Sequence, residues 1–122
     1  MKLNLVSLSL YLAIAGVARA APPPGDATTG GAVFEDRFAI CHVAAGGGQG
    51  PSLKSLIGRK AASASGFEFT PALKASGLTW TAQTLDAFLT NPGKAVPGTA
   101  MPIRVTAPKQ RADLIAYFAK HR

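Results

Sequence analysis

Phe38-Ala39-Ile40-Cys41-His42 sets a thiol directly before an imidazole. Cys41 is the sole cysteine of the 122 residues, so no disulfide can form within the chain. The pair is the second half of a C-x-x-C-H pattern whose first cysteine is here Phe38. The stretch is therefore either a one-cysteine variant of that motif or a chance match, and the residues on both sides decide.

Toward the N-terminus, Lys2 precedes a mostly apolar run over residues 3–17, and Ala18-Arg19-Ala20 puts small residues at the two positions a signal peptidase reads. Residues 1–20 are accordingly expected to be a secretory signal peptide cleaved after Ala20. An uncleaved anchor is the rival reading, but the run is short of the roughly 20 residues that span a bilayer, and Arg19 closes it. Residues 21–27, opening Ala21-Pro22-Pro23-Pro24-Gly25, form a stiff Pro-rich leader, and residues 28–122 one small domain. Loss of Lys2 and Arg19 lowers the formal charge from +7 to +5, eleven basic against six acidic residues.

The basic residues, Lys94 and Lys109 among them, are spread along the chain with no dense run. That pattern argues against nucleic-acid binding and suits brief, salt-sensitive encounters with an acidic protein face. A domain this small buries a modest core, and without a disulfide a bound cofactor becomes a natural source of stability.

Three helices are legible. The first is expected from Asp26 or Thr28 to Ala39, with Asp26, Thr28 and Thr29 as possible N-caps and Gly30, Phe34 and Phe38 along one stripe. The second is expected over Thr81–Asn91, capped by Thr81, with Trp80 stapled to Leu85 and an apolar face of Leu85, Phe88 and Leu89. Asn91-Pro92-Gly93 ends it. The third is expected over Ala107–His121, capped by Thr106, with Leu114, Tyr117 and Phe118 inward and Arg111, Asp113 and Lys120 toward water. Between them lie long irregular segments, four glycines falling between Ala45 and Pro51. Such loops need something to pack on, and a large flat apolar cofactor would serve.

C-x-x-C-H is the attachment pattern of c-type haem. A thioether from Cys41 would place His42 under the iron. A ligating imidazole needs its other ring nitrogen aimed at an acceptor, and the carbonyl of Pro51 lies nine residues on. The natural second ligand is Met101, in Val96-Pro97-Gly98-Thr99-Ala100-Met101-Pro102, where prolines stiffen the loop and a thioether sulfur favours ferrous iron. The only other methionine is Met1.

With these residues in place the chain resembles the class I c-type cytochromes, of the small soluble kind close to mitochondrial cytochrome c. The likeness runs from Gly30-x-x-x-Phe34 through Cys41-His42, Gly50-Pro51-x-Leu53, Gly58-Arg59-Lys60, Gly66-Phe67, Leu78-Thr79-Trp80, Asn91-Pro92 and Pro97-Gly98-Thr99-x-Met101 to Arg111–Tyr117, in order. It implies an all-α cytochrome c fold, with N- and C-terminal helices crossing and further short helices and long loops wrapped around one haem. His42 and Met101 would be the axial ligands. Pro51 would orient His42, and Arg59, Thr70, Trp80 and Thr99 would surround or hydrogen-bond the haem propionates. Gly30 and Phe34 would cross Leu114 and Tyr117.

Three departures stand out. Phe38 replaces the first haem-linking cysteine, as in certain mitochondrial cytochromes c of euglenozoan protists, and its ring is expected against the porphyrin edge. Phe69 and Phe88 stand where the family often has tyrosine, and Leu73 where it has asparagine. The pocket should be drier for it. The implied function is a soluble periplasmic one-electron carrier, not an enzyme. It would be a monomer, with one haem c held through one thioether at Cys41, meeting membrane oxidoreductases or other redox proteins with acidic docking faces. The alternative is a peroxidase-like or gas-binding haem protein whose Met101 is displaceable.

Overall fold

Asp26 opens the first helix, its carboxylate accepting the Thr29 N–H at 2.7 Å. Of the three candidate caps the chain uses the earliest. A computed structural model describes residues 16 and 23–121 of the protein. The expected signal peptide, residue 16 apart, and the start of the leader lie outside the described residues. Five helices follow in order: α1 (Ala27–Arg37), α2 (Pro71–Ala75), α3 (Ala82–Thr90), α4 (Pro92–Ala95) and α5 (Pro108–Lys120). Among the described residues there is no strand, only one antiparallel bridge between Lys60 and Thr79. The expected all-α architecture is the one found.

α1 stops at Arg37, short of the expected Ala39. Beyond it the Phe38 N–H bonds the Phe34 carbonyl at 2.8 Å and the His42 N–H bonds the Phe38 carbonyl at 2.9 Å, so residues 38–42 continue as turns. α1 crosses α5 at Gly30. A Cβ there would overlap the main-chain carbonyl of Asp113, so the two backbones meet with no room for a side chain. Around that crossing Phe34 stacks on Tyr117 (centroids 5.5 Å apart) and meets Phe118 edge-on at 5.9 Å. The packing begins ahead of Thr28. A Cβ at Gly25 would overlap the Ala112 carbonyl, so the end of the expected leader already lies on α5.

Two residues expected to face water on α5 do not. Asp113 is 2% exposed. Its carboxylate accepts the Asp26 N–H at 2.7 Å and pairs with Lys109 one turn earlier. Arg111 donates from Nε to Asp86 at 2.7 Å, and from Nη1 to the carbonyls of Val105 and Thr106, both at 3.0 Å. It thereby ties α5 to α3 and to the turn before it. The cap also differs from expectation. Ala107, not Thr106, is the N-cap of α5, and no side chain bonds the first turn, where Pro108 has no N–H to satisfy.

Asp113 therefore carries a pH prediction. Hydrogen bonds from Lys109 and from the Asp26 N–H hold its carboxyl below the ordinary aspartate value. Burial pushes the other way with a smaller effect than these hydrogen bonds. A depressed folded-state value means the stabilisation is present above the unfolded value and is lost as pH falls through the folded one. Asp113→Asn should lower the unfolding midpoint at pH 7, and the gap to the unmodified protein should close progressively below about pH 4. A gap independent of pH would show that the charge has no part in it.

α3 begins with a reciprocal cap. Thr81 Oγ1 accepts the Thr84 N–H at 3.1 Å and Thr84 Oγ1 accepts the Thr81 N–H at 2.9 Å. Trp80 and Leu85, the expected staple, are both buried in one core with Phe38, Phe88, Leu114 and Phe118. Asn91-Pro92-Gly93 ends α3 as expected, but it also starts α4, with Asn91 Oδ1 accepting the Lys94 N–H and Pro92 in the first turn. α2 is built the same way, from Thr70 as cap and Pro71.

Candidate functional site

The turns after α1 carry Phe38, Cys41 and His42 onto the wall of a cavity of about 230 Å³. All nine expected site residues line it: Phe38, Cys41, His42, Pro51, Arg59, Thr70, Trp80, Thr99 and Met101. All nine lie outside the helices, in the segments that connect them. The cavity is thus where the irregular loops of the sequence converge.

His42 is the most fully determined of them. Its Nδ1 lies 2.8 Å from the Pro51 carbonyl oxygen, which can only accept, so Nδ1 carries the proton and donates. Gly50 is buried against the ring, and a Cβ there would overlap the imidazole. Burial holds the His42 imidazole below the ordinary histidine value, and the Pro51 hydrogen bond opposes this with the smaller effect. A neutral ring with Nδ1–H committed leaves the Nε2 lone pair free, which is the form that binds a metal.

Met101 lies in the stretch after α4, its N–H directed at Thr99 Oγ1 at 3.4 Å. Cys41 is half-buried, its sulfur 4.0 Å from Gln49 Oε1. Arg59 spends Nη1 on the Lys54 carbonyl (2.7 Å) and Nη2 on the Ser52 carbonyl (3.1 Å). A guanidinium has five N–H groups, so donors remain for an anion. Burial draws its pKa down from the usual arginine value. Thr70 and Thr99 each use the hydroxyl oxygen to accept a main-chain N–H, from Leu73 and Met101, which leaves each O–H to donate. Trp80 is held edge-on to Phe88 at 5.1 Å.

The three polar-to-apolar departures all face the cavity. Phe69, Phe88 and Leu73 line it, and both aromatic rings are buried. Leu56, Ile103 and Leu89 complete the apolar wall. Leu56 lies in an irregular segment, where no periodicity marks an inward side chain. Gly50 was legible only as part of Gly50-Pro51; its contact with the His42 ring is a tertiary fact.

The donor set suits a haem. It offers a neutral imidazole, a thioether sulfur and a thiol, with apolar walls for a porphyrin and a guanidinium and two hydroxyls for its carboxylates. Among the described residues no group of three or more His, Cys, Asp or Glu side chains is placed to hold a bare metal ion.

No family model matches the chain. Individual relatives do. Cytochrome c of Chlamydomonas reinhardtii is 43% identical over 99 residues, covering 78% of this chain and 88% of that protein. Cytochrome c of Tetrahymena pyriformis is 43% identical over 97 residues, covering 78% of this chain and 88% of that protein. Cytochrome c of Cannabis sativa is 40% identical over 99 residues, covering 78% and 89%. Among solved structures, cytochrome cH from Methylobacterium extorquens superposes with a TM-score of 0.74 at 43% identity, covering 79% of this chain and 99% of its own. With the crossed terminal helices and the converging His42, Cys41 and Met101, these likenesses settle the family: the chain belongs to the cytochromes c.

Proposed function

We propose that this cytochrome c carries single electrons in the periplasm, with one haem c held through a single thioether at Cys41 and ligated by His42 and Met101. Family membership makes the chain a haem-based electron carrier rather than an enzyme. The finer reading is supported above all by the Pro51–His42 hydrogen bond, which fixes the tautomer and ring plane that an axial ligand needs. When bound, the haem supplies the one-electron couple.

The protein's own groups do the rest. Pro51 and Gly50 hold His42 in place, while Met101 would be the second ligand and keep solvent and small molecules from the iron. Arg59, Trp80, Thr70 and Thr99 would hold the propionates. The apolar side chains of Phe69, Phe88 and Leu73 exclude water.

Export to the periplasm rests on residues 1–20, and among the described residues no helix is long and apolar enough to cross a membrane. The partners are redox proteins with acidic faces, met by a monomer. Lys94 is exposed and available for such steering. Lys109 is not, since its ammonium is committed to Asp113.

A pyridine haemochrome spectrum of the purified protein tests the reading, because its band position separates one thioether from two. Haem should stay with the polypeptide through acidic acetone extraction and should extract fully from Cys41→Ala. Haem that extracts from the unmodified protein would refute the covalent link.

A further inference from the structure

Phe38 occupies the place of a covalent anchor, and the structure gives it specific neighbours. Its ring is 3% exposed. It stacks on Phe34 with centroids 6.5 Å apart and planes 10° from parallel, and the His42 ring lies 6.5 Å from it, tilted by 43°. Phe34 in turn rests on Tyr117 and Phe118 of α5. The three rings at positions 34, 38 and 42 thus form a column from the α1–α5 crossing to the imidazole. The main chain runs in parallel, through the Phe38 N–H to Phe34 and the His42 N–H to Phe38.

A thioether at position 38 would pin the attachment segment to the cofactor. A phenylalanine there pins the same segment to the protein instead.

We propose that Phe38 is a positioning residue for His42, its ring transmitting the rigidity of the helix crossing to the imidazole and taking over the mechanical role of the absent thioether. Pro51 restrains the ring through Nδ1, and Gly50 lies against its Cε1 edge. Phe38 supplies the remaining lateral support. The inference rests on the haem reading above.

The test uses the full holoprotein. A pyridine haemochrome spectrum first establishes that the unmodified protein carries haem; its absence would sink the haem reading and this inference with it. The ferric protein is then examined by proton NMR, where the paramagnetically shifted His42 and haem methyl resonances report the orientation of the imidazole plane. Phe38→Leu and Phe38→Met remove the aromatic face with little loss of volume, and the second serves if the first does not fold. Val105→Ala is the control for lost stability, since Val105 is fully buried in the same core but does not line the cavity.

Both Phe38 variants should rearrange the haem methyl pattern and broaden or move the His42 signals, while Val105→Ala leaves them in place. Phe38 variants whose resonances move no further than those of Val105→Ala would overturn the positioning role and leave the haem reading intact.

Discussion

Gly30→Val should abolish most of the folded protein at room temperature, and Gly30→Ala should lower stability by about 3 kcal/mol or more. Two effects compete at this position. Alanine in a helix is worth about 1 kcal/mol more than glycine. Against that, the new Cβ would lie inside the van der Waals envelope of the Asp113 carbonyl oxygen, and main-chain atoms have no rotamer to move to. Overpacking with side-chain neighbours typically costs about 1–3 kcal/mol, and an immovable neighbour places the cost at or above the top of that range. A domain of this size has only about 5–15 kcal/mol in hand. Gly31 provides the comparison, since a Cβ there would meet the ring of Tyr117 at 3.3 Å, a half-buried side chain able to shift. Gly31→Ala should stay within about 1 kcal/mol of the unmodified protein, the propensity gain offsetting the contact. Denaturant midpoints at unchanged slope would measure both. Equal midpoints for the two variants would mean that α1 and α5 do not meet at Gly30.

Met101→Ala should open the site. The variant is expected to lose the far-red absorption band of ferric methionine–iron ligation, to show a lower reduction potential, and to bind imidazole or azide far more tightly. The direction of the potential follows from the sulfur, which favours the ferrous state. The affinity change follows from populations. If Met101 is displaced in about 0.1–10% of molecules, an added ligand binds the unmodified protein weakened by that fraction, so removing the competitor strengthens binding about 10- to 1,000-fold. The flanking Pro97 and Pro102 and the Thr99 hydroxyl favour the lower end of that displaced population, and hence the larger change. An unmodified ferric protein that already lacks the band at neutral pH, and binds azide as tightly as the variant, would point to the peroxidase-like or gas-binding alternative.

What could be read in the sequence was whatever local chemistry determines. The Gly30, Phe34, Phe38 stripe, the Trp80–Leu85 pair, Pro51 beside His42 and Met101 between prolines each follow from spacing and residue type, and the structure places them accordingly. The nine candidate residues were legible as a set only through the resemblance, since nothing in their spacing says that loops so far apart converge.

The misreadings share one cause. Asp113 and Arg111 were assigned to water by residue type, yet both are satisfied by groups distant in sequence, the Asp26 N–H and Asp86. A charged side chain turns inward when partners await it, and those partners are tertiary. α2 and α4 escaped notice because each is little more than a capped turn, started by Thr70-Pro71 and by Asn91-Pro92, pairs that equally mark a loop.

The crossing of the first helix with the last also sets an order of events in synthesis. The Asp26–Asp113 hydrogen bond joins residues 87 positions apart. Closing a loop of that length costs about 4 kcal/mol beyond a constant term, and the rings that repay it, Tyr117 and Phe118, lie in α5. A chain emerging N-terminus first presents Cys41 and His42 while α5 is still to come. Until that helix arrives α1 has no other helix to pack against.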